Sequence, residues 1–389
     1  MNRIAIVVVA YNRLDSVSRL LRSLENAYYD DEVTLIISID KSDTDIVERY
    51  ALDYQWNYGK KIVDLHEQNL GLRNHMLSLG KWFDFFDAIV VLEDDIVVAE
   101  SFFLYTKQCV DKYYNNYEIA GIGLYSYNVN YLNNLPFQPQ KSIYDVYLWN
   151  NAISWGEVWM KKQWSDFYEW YKEHLEFPQL AYLPERFCNM GKNSWLKYHT
   201  RYCIENNKYF VVPYNAFSSN FDDIGTHNVL VSAIYQVPLV HGKIGELRFP
   251  KNLHDAVRYN GFLENKSIYE NIGFTENECS LDLNGCCRNY SEKRYWLTTK
   301  KANYKIIKSY GLKLRPIEDN VINNITGSSI FVYDLNCSEK NDVESDSELL
   351  LYNYHMNSMI MFVRRYGLYR LFNLLISHYF KKFFNYITK

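Results

Sequence analysis

Glu93, Asp94 and Asp95 stand in a row at the end of the apolar run Ala88–Leu92. Three adjacent carboxylates repel one another at neutral pH. A divalent cation relieves that repulsion and offers a bridge to a diphosphate. Mg²⁺ and Mn²⁺ suit the task, because they take oxygen ligands, often only one or two carboxylates, and complete their shell with water and phosphate oxygens. Three more chemically useful groups occupy comparable points. Arg13 follows the run Arg3–Ala10, Asp40 follows Val33–Ile39, and Arg73 comes shortly after Lys60–Leu65.

Those four runs read as strands, and the continuous apolar run of the first is what a strand covered on both faces requires. Between them, Val17, Leu20, Leu21 and Leu24 recur at helical spacing, with Asp15 or Ser16 placed to cap the first turn. Asp43 is placed to cap a second helix reaching about Trp56, and Leu72–Phe86 reads as a third. Phe102, Thr106, Cys109, Val110 and Tyr113 make another helical stripe. This βαβαβαβ order predicts an α/β fold with a mostly parallel central sheet and right-handed crossovers. Ligands of such sheets bind beyond the carboxyl ends of the strands, where the polar residues above fall. No G-x-G-x-x-G or P-loop follows a strand, which argues against a dehydrogenase or an ordinary ATPase.

The chain has 389 residues, 48% hydrophobic and 23% charged, an ordinary globular composition. Its net charge of −4 excludes general nucleic-acid binding, which needs a basic surplus. Aromatic residues reach 17%, and their flat apolar faces suit sugar rings. The N-terminal apolar run is too short for a secretory signal, and no stretch approaches the roughly 18 apolar residues of a membrane span, so a cytoplasmic location is expected. The seven cysteines show no C-x-x-C pair, and neither a disulfide framework nor a zinc site is indicated.

Val7–Arg13, the Asp40 strand end, Asn69–Leu72 and Val91–Ala99 together resemble GT-A glycosyltransferases of a family 2-like kind. More narrowly, they are similar to bacterial relatives of the N-acetylglucosaminyltransferase I type. The likeness continues through Asp145–Leu148, Ile153–Gly156, Trp159, Gly191–Leu196 and Asn220–His227. The resemblance implies an inverting, metal-dependent transferase of a bacterial surface glycan, with a nucleotide-sugar donor, usually a UDP-sugar, and a glycan or lipid-linked glycan acceptor. It implies that Arg13 and Asp40 contact the base, that Glu93 and Asp94 face the donor sugar and ribose, and that Asp95 holds Mn²⁺ or Mg²⁺. Arg73 would lie near the diphosphate, and Trp155, Gly156 and Trp195 would shape the acceptor side. Phe221–His227 would close over bound nucleotide, with His227 at phosphate or metal. Where the relatives carry the acid expected to act as general base, this chain has Asn193. Glu185, Asp222 and Asp223 are then the candidate bases, with Glu157 a more distant one. Two other readings are a sugar-nucleotide pyrophosphorylase, whose Gly-rich basic loop is missing after the first strand, and a non-catalytic glycan-binding protein.

The expected organisation is a catalytic domain over 1–250, with a nucleotide-sugar half at 1–125 and an acceptor half at 126–250. A small accessory region follows at 251–335, a polar linker at 336–351 and a helical tail at 352–389. The tail is basic and aromatic, with Arg364, Arg365, Arg370, Lys381 and Lys382 among Phe, Tyr and Leu. That pattern suits peripheral contact with an anionic membrane surface at its cytoplasmic face. A helix pair packed on protein is the other reading of the tail.

Overall fold

The four expected strands form one flank of a nine-stranded sheet, the third at its edge and only half-buried. The structure, a computed structural model, describes residues 2–221, 223, 234–341, 347–354, 367–370, 372, 373 and 376. Its first part runs β1 (Ile4–Ala10), α1 (Leu14–Glu25), β2 (Thr34–Ile39), α2 (Ile46–Asp53), β3 (Lys61–Leu65), α3 (Gly71–Ser78), β4 (Ala88–Glu93), β5 (Ile96–Val98), α4 (Phe102–Tyr113) and β6 (Ile119–Gly123). Two short strands, β7 (Val129–Asn130) and β8 (Leu135–Pro136), pair with each other. Then follow β9 (Val146–Trp149), β10 (Glu157–Met160), α5 (Lys161–Glu173), α6 (Glu185–Cys188), α7 (Leu196–Glu205), β11 (Tyr209–Pro213), β12 (Ser218–Asn220) and β13 (Arg258–Tyr259).

The sheet order is β13-β9-β11-β6-β10-β4-β1-β2-β3. β4, β1, β2 and β3 are mutually parallel, so their carboxyl ends share one edge. β10 runs antiparallel between β4 and β6, a reversal that the βαβ pattern of the first 125 residues does not foretell. Alternate side chains of β1 feed opposite cores. Ile6 and Val8 pack with Val17, Leu20 and Phe102 on one face. Ala5 and Val7 pack with Trp159, Phe167 and Phe210 on the other.

Several local expectations are corrected. The residue before α1 is Arg13, without a side-chain cap, and Asp15 and Ser16 lie inside the helix. α2 starts later than expected, after Asp45 rather than at Asp43. α3 ends at Ser78, whose hydroxyl donates back to the His75 carbonyl at 2.7 Å, and a 3₁₀ turn over Leu79–Asp84 replaces its last part. Such back-bonding competes with the helix ladder.

A four-stranded second sheet follows, with β14 (Cys279–Asp282), β15 (Tyr295–Thr298), β16 (Tyr304–Tyr310) and β17 (Ile330–Ser338) in the order β14-β15-β17-β16. It has its own core of Ile268, Leu281, Leu297 and Val332. β13 adds to the first sheet beside β9, so that sheet's last strand lies beyond residue 250. Residues 336–338, expected in a linker, continue β17, because Ser338 pairs with Tyr304. Residues 342–346 and most of 352–389 lie outside the described residues.

Candidate active site

The parallel strand ends open into a cleft of about 330 Å³. Arg13, Asp40, Glu93, Asp94 and Asp95 line it, as do Asn193 and Asp223 from more than 90 residues further along the chain. Arg13 follows β1 and makes a two-pronged pair with Asp94. Its Nε donates to one carboxylate oxygen at 3.2 Å and its Nη2 donates to the other. Its Nη1 reaches Asp95 at 3.4 Å. Planar guanidinium and carboxylate groups favour this fork geometry.

One guanidinium does not balance three acids. Burial, then the charges of Asp95 and Asp94, push the Glu93 carboxyl up to about 8. Burial raises Asp94 to about 6 against the pull of Arg13. Asp95 is also raised by burial despite Arg13. Burial would loosen the Arg13 proton, but the bonds and charges of Asp94 and Asp95 outweigh it and hold that proton more tightly than usual. The cleft is therefore short of positive charge, the condition in which a hard divalent cation fits. Asp95 makes only long contacts to Arg13, so it is the acid of the three that could hold one. Among the described residues no group of three His, Cys, Asp or Glu side chains could by itself hold a metal ion, so water and phosphate oxygens would complete its shell.

Asp40 is held by the backbone around it. Its carboxylate accepts the backbone N–H groups of Lys41 at 2.9 Å, Leu70 at 2.8 Å and Gly71 at 2.9 Å. It thereby fixes the start of α3, where Gly71 adopts φ +71°, a left-handed conformation that favours glycine. A carboxylate has about four lone-pair sites, so one remains for a ligand. Beneath it, Ser38 donates to Asp64 at 3.0 Å and lies 2.9 Å from His75 Nε2. Burial, with the nearby His66, lowers His75 to about 4 and keeps it neutral.

Asp223 is anchored to α1. Ser16 Oγ donates to it at 2.8 Å and Arg19 pairs with the same oxygen. Arg19 also lies 3.8 Å over the Phe221 ring. Burial would raise Asp223, but Arg19 and Ser16 outweigh it and leave its carboxyl below the usual range. Sequence reading missed Arg19, whose position on an amphipathic helix looks like any solvated one. Asn193 is exposed at the cleft lip, so the position expected to carry the base is at the cleft while its side chain is an amide.

Other expected residues fall elsewhere. Arg73 points to α7, where it donates to the Tyr198 hydroxyl at 3.0 Å, and it does not line the cleft. Trp195 is 3% exposed and packs edge-on to Trp159, so it has no free face for a sugar. Trp155 is half-buried against Tyr125, Tyr127 and Tyr235. Gly156 is required beside it, at φ +86°, because a Cβ there would meet Ser218 Oγ at 2.9 Å. Glu185 is exposed on α6, away from the cleft. Glu157 is fully buried in β10. One of its oxygens accepts from the Trp159 indole at 2.8 Å, and burial raises its carboxyl well above the usual range. Asp222 and His227 lie outside the described residues.

Residues 5–163 match the family model described as glycosyl transferase family 2. That span contains the strand ends carrying Arg13, Asp40 and the acidic triplet. The fold of this unit is of the GT-A kind, and over that span its sequence is similar to glycosyl transferase family 2. Among solved structures, the chain is similar to residues 1–349 of TarS from S. aureus in complex with UDP, at 15% identity and TM-score 0.36, over 56% of this chain and 59% of that one. It is similar to the mannosyltransferase PcManGT from Pyrobaculum calidifontis in complex with GDP-Man and Mn²⁺, at 9% identity and TM-score 0.35, over 55% of each chain. It is also similar to GalNAc-T7 with UDP, GalNAc and Mn²⁺, at 12% identity and TM-score 0.36, over 55% of this chain and 42% of that one. The chain thus spans little more than half the length of the TarS fragment. No curated protein sequence matches it. Among the described residues, no helix of the GT-A domain or the second sheet region is long and apolar enough to cross a membrane.

Proposed function

We propose that the protein transfers a sugar, with inversion, from a nucleotide-sugar donor to a glycan acceptor. The observation that carries this is one cleft joining Arg13, Asp40 and the Glu93–Asp95 triplet at the parallel strand ends with Asn193 and Asp223 from the second half of the domain. The free lone pair of Asp40 suits the imide N–H of a uracil, which favours a UDP-sugar. Asp95 would hold Mn²⁺ or Mg²⁺, which when bound neutralises charge on the departing diphosphate. Arg13 keeps Asp94 ionised and fixed in the buried wall.

In the transfer, the acceptor hydroxyl oxygen forms the new bond to the anomeric carbon. The bond from that carbon to the diphosphate oxygen breaks, and its electron pair leaves with the nucleotide. The hydroxyl proton passes to a carboxylate. Of the candidate bases with a described position, Asp223 is the one at the cleft. Arg19 keeps it ionised and ready to accept, at the cost of a weak hold on the proton. The tail would keep the enzyme at an anionic, lipid-linked acceptor; the large apolar side chains described there, Leu368, Tyr369, Phe372 and Ile376, are exposed.

The test is a panel of nucleotide-sugars screened for Mn²⁺-dependent thermal stabilisation, since a ligand of the native state raises apparent stability. UDP-sugars should stabilise and GDP-sugars should not. UDP release on adding a glycan acceptor then establishes transfer. Absence of stabilisation by every nucleotide-sugar sinks the proposal.

A further inference from the structure

A second cavity, of about 730 Å³, lies where the GT-A domain meets the second sheet region. Tyr127, Phe137 and Tyr214 supply aromatic walls, Asn128 an amide, and Lys141 and Arg315 two cations. No Asp or Glu is among its described lining residues. The charge is unspent: Lys141 Nζ lies 4.5 Å over the Tyr214 ring, and no carboxylate pairs with it among the described residues. Arg315 donates through Nη2 to the Tyr352 carbonyl and stacks 4.0 Å from that ring, leaving other N–H donors of its fork. Glu318, nearby in sequence, is buried and bonded to the Tyr259 hydroxyl and Asn265 instead.

We infer that this junction groove binds an anionic glycan, and that the acceptor therefore carries carboxylates or phosphates along its chain. The inference rests on the glycosyltransferase reading above and names its acceptor class. Aromatic faces and amides are the usual partners of sugar rings and hydroxyls, and two unpaired cations in an acid-free groove of a net acidic protein select negative charge. The strand that leaves the groove wall runs toward the cleft. Ala216, in that wall, precedes β12, which starts opposite Val98 and runs antiparallel to β5 until the Phe221 N–H donates to the Asp95 carbonyl at 2.9 Å. A chain lying in the groove is thus directed toward the cleft.

The test uses the full chain, without nucleotide, and three probes: a hexuronate oligosaccharide, its neutral methyl ester and a phosphodiester-linked oligosaccharide. Calorimetry at low salt should show one of the anionic chains binding about tenfold tighter than the ester, and added salt should erase the difference. The better anionic probe identifies carboxylate or phosphate as the charge recognised. Lys141→Gln with Arg315→Gln should abolish the preference and leave Mn²⁺-dependent UDP binding unchanged. Because Arg315 also holds Tyr352, Lys141→Gln alone is the companion variant, expected to lose at least part of the preference with an unchanged Tm. Equal binding of ester and anions, no binding of either anion, or full preference in both variants overturns the inference. Loss of UDP binding in the wild type, with the anion preference intact, would instead defeat the donor reading and leave the groove standing.

Discussion

The cleft and the junction groove are built on opposite charge plans. The cleft gathers Asp40, Glu93, Asp94, Asp95 and Asp223 with Arg13, while the groove offers Lys141 and Arg315 without an acid among its described lining residues. Buried acids in excess of their cation leave a site that must borrow positive charge, so an anionic ligand there would need a bridging cation. Cations without acids meet an anion directly. Two negatively charged ligands can thus be kept apart on one protein, because each surface repels or ignores what the other attracts.

The harshest test of the cleft is Asp95→Ala. It should abolish Mn²⁺-dependent UDP binding by calorimetry, with a Tm unchanged or raised, since one of three repelling carboxylates is gone. Mn²⁺-dependent affinity at the wild-type level would remove Asp95 from the site. Arg13→Ala comes next. It leaves Asp94, 4% exposed, without its partner, and breaking a buried pair costs about 3–5 kcal/mol. Urea denaturation at neutral pH reads this, and a loss below about 1 kcal/mol would mean that Asp94 has simply taken up a proton.

The third test separates the two regions by pH. His75 faces His66, Asp40, Asp64 and Lys81, and its folded value of about 4 lies below its ordinary 6.5. Between those values the unfolded chain binds a proton that the folded chain refuses. Stability should therefore fall as pH drops from 6.5 toward 4, by up to about 3 kcal/mol from this residue. His75→Gln should flatten that limb, whereas Lys141→Gln in the groove should leave it unchanged. An unaltered limb in His75→Gln would show that the histidine is charged in the native state. The mildest test is Asn193→Ala, expected to lower turnover by less than tenfold, against the 10²–10⁴-fold that a general base contributes. Asp223→Ala should show the larger loss, and the reverse order would exchange their roles.

The strand-end wall of the cleft was legible because each of its residues follows an apolar run that can only be a buried strand, and parallel strands must end on one side. Arg13, Asp40 and the triplet needed nothing more than that rule to be placed together. Composition and run length likewise determined a globular α/β chain. What faces what across the fold was decided by tertiary packing. The reversal of β10 put Glu157 in the core, and the same aromatic layer swallowed Trp195 and turned Arg73 toward Tyr198. Arg19 gained its role only when Phe221 and Asp223 came to lie on α1, more than 200 residues away in sequence. The groove draws on segments near 127, 141, 214 and 315, and no local pattern marks any of them. Periodicity records which side of an element is buried, and it carries no information on the partner that buries it.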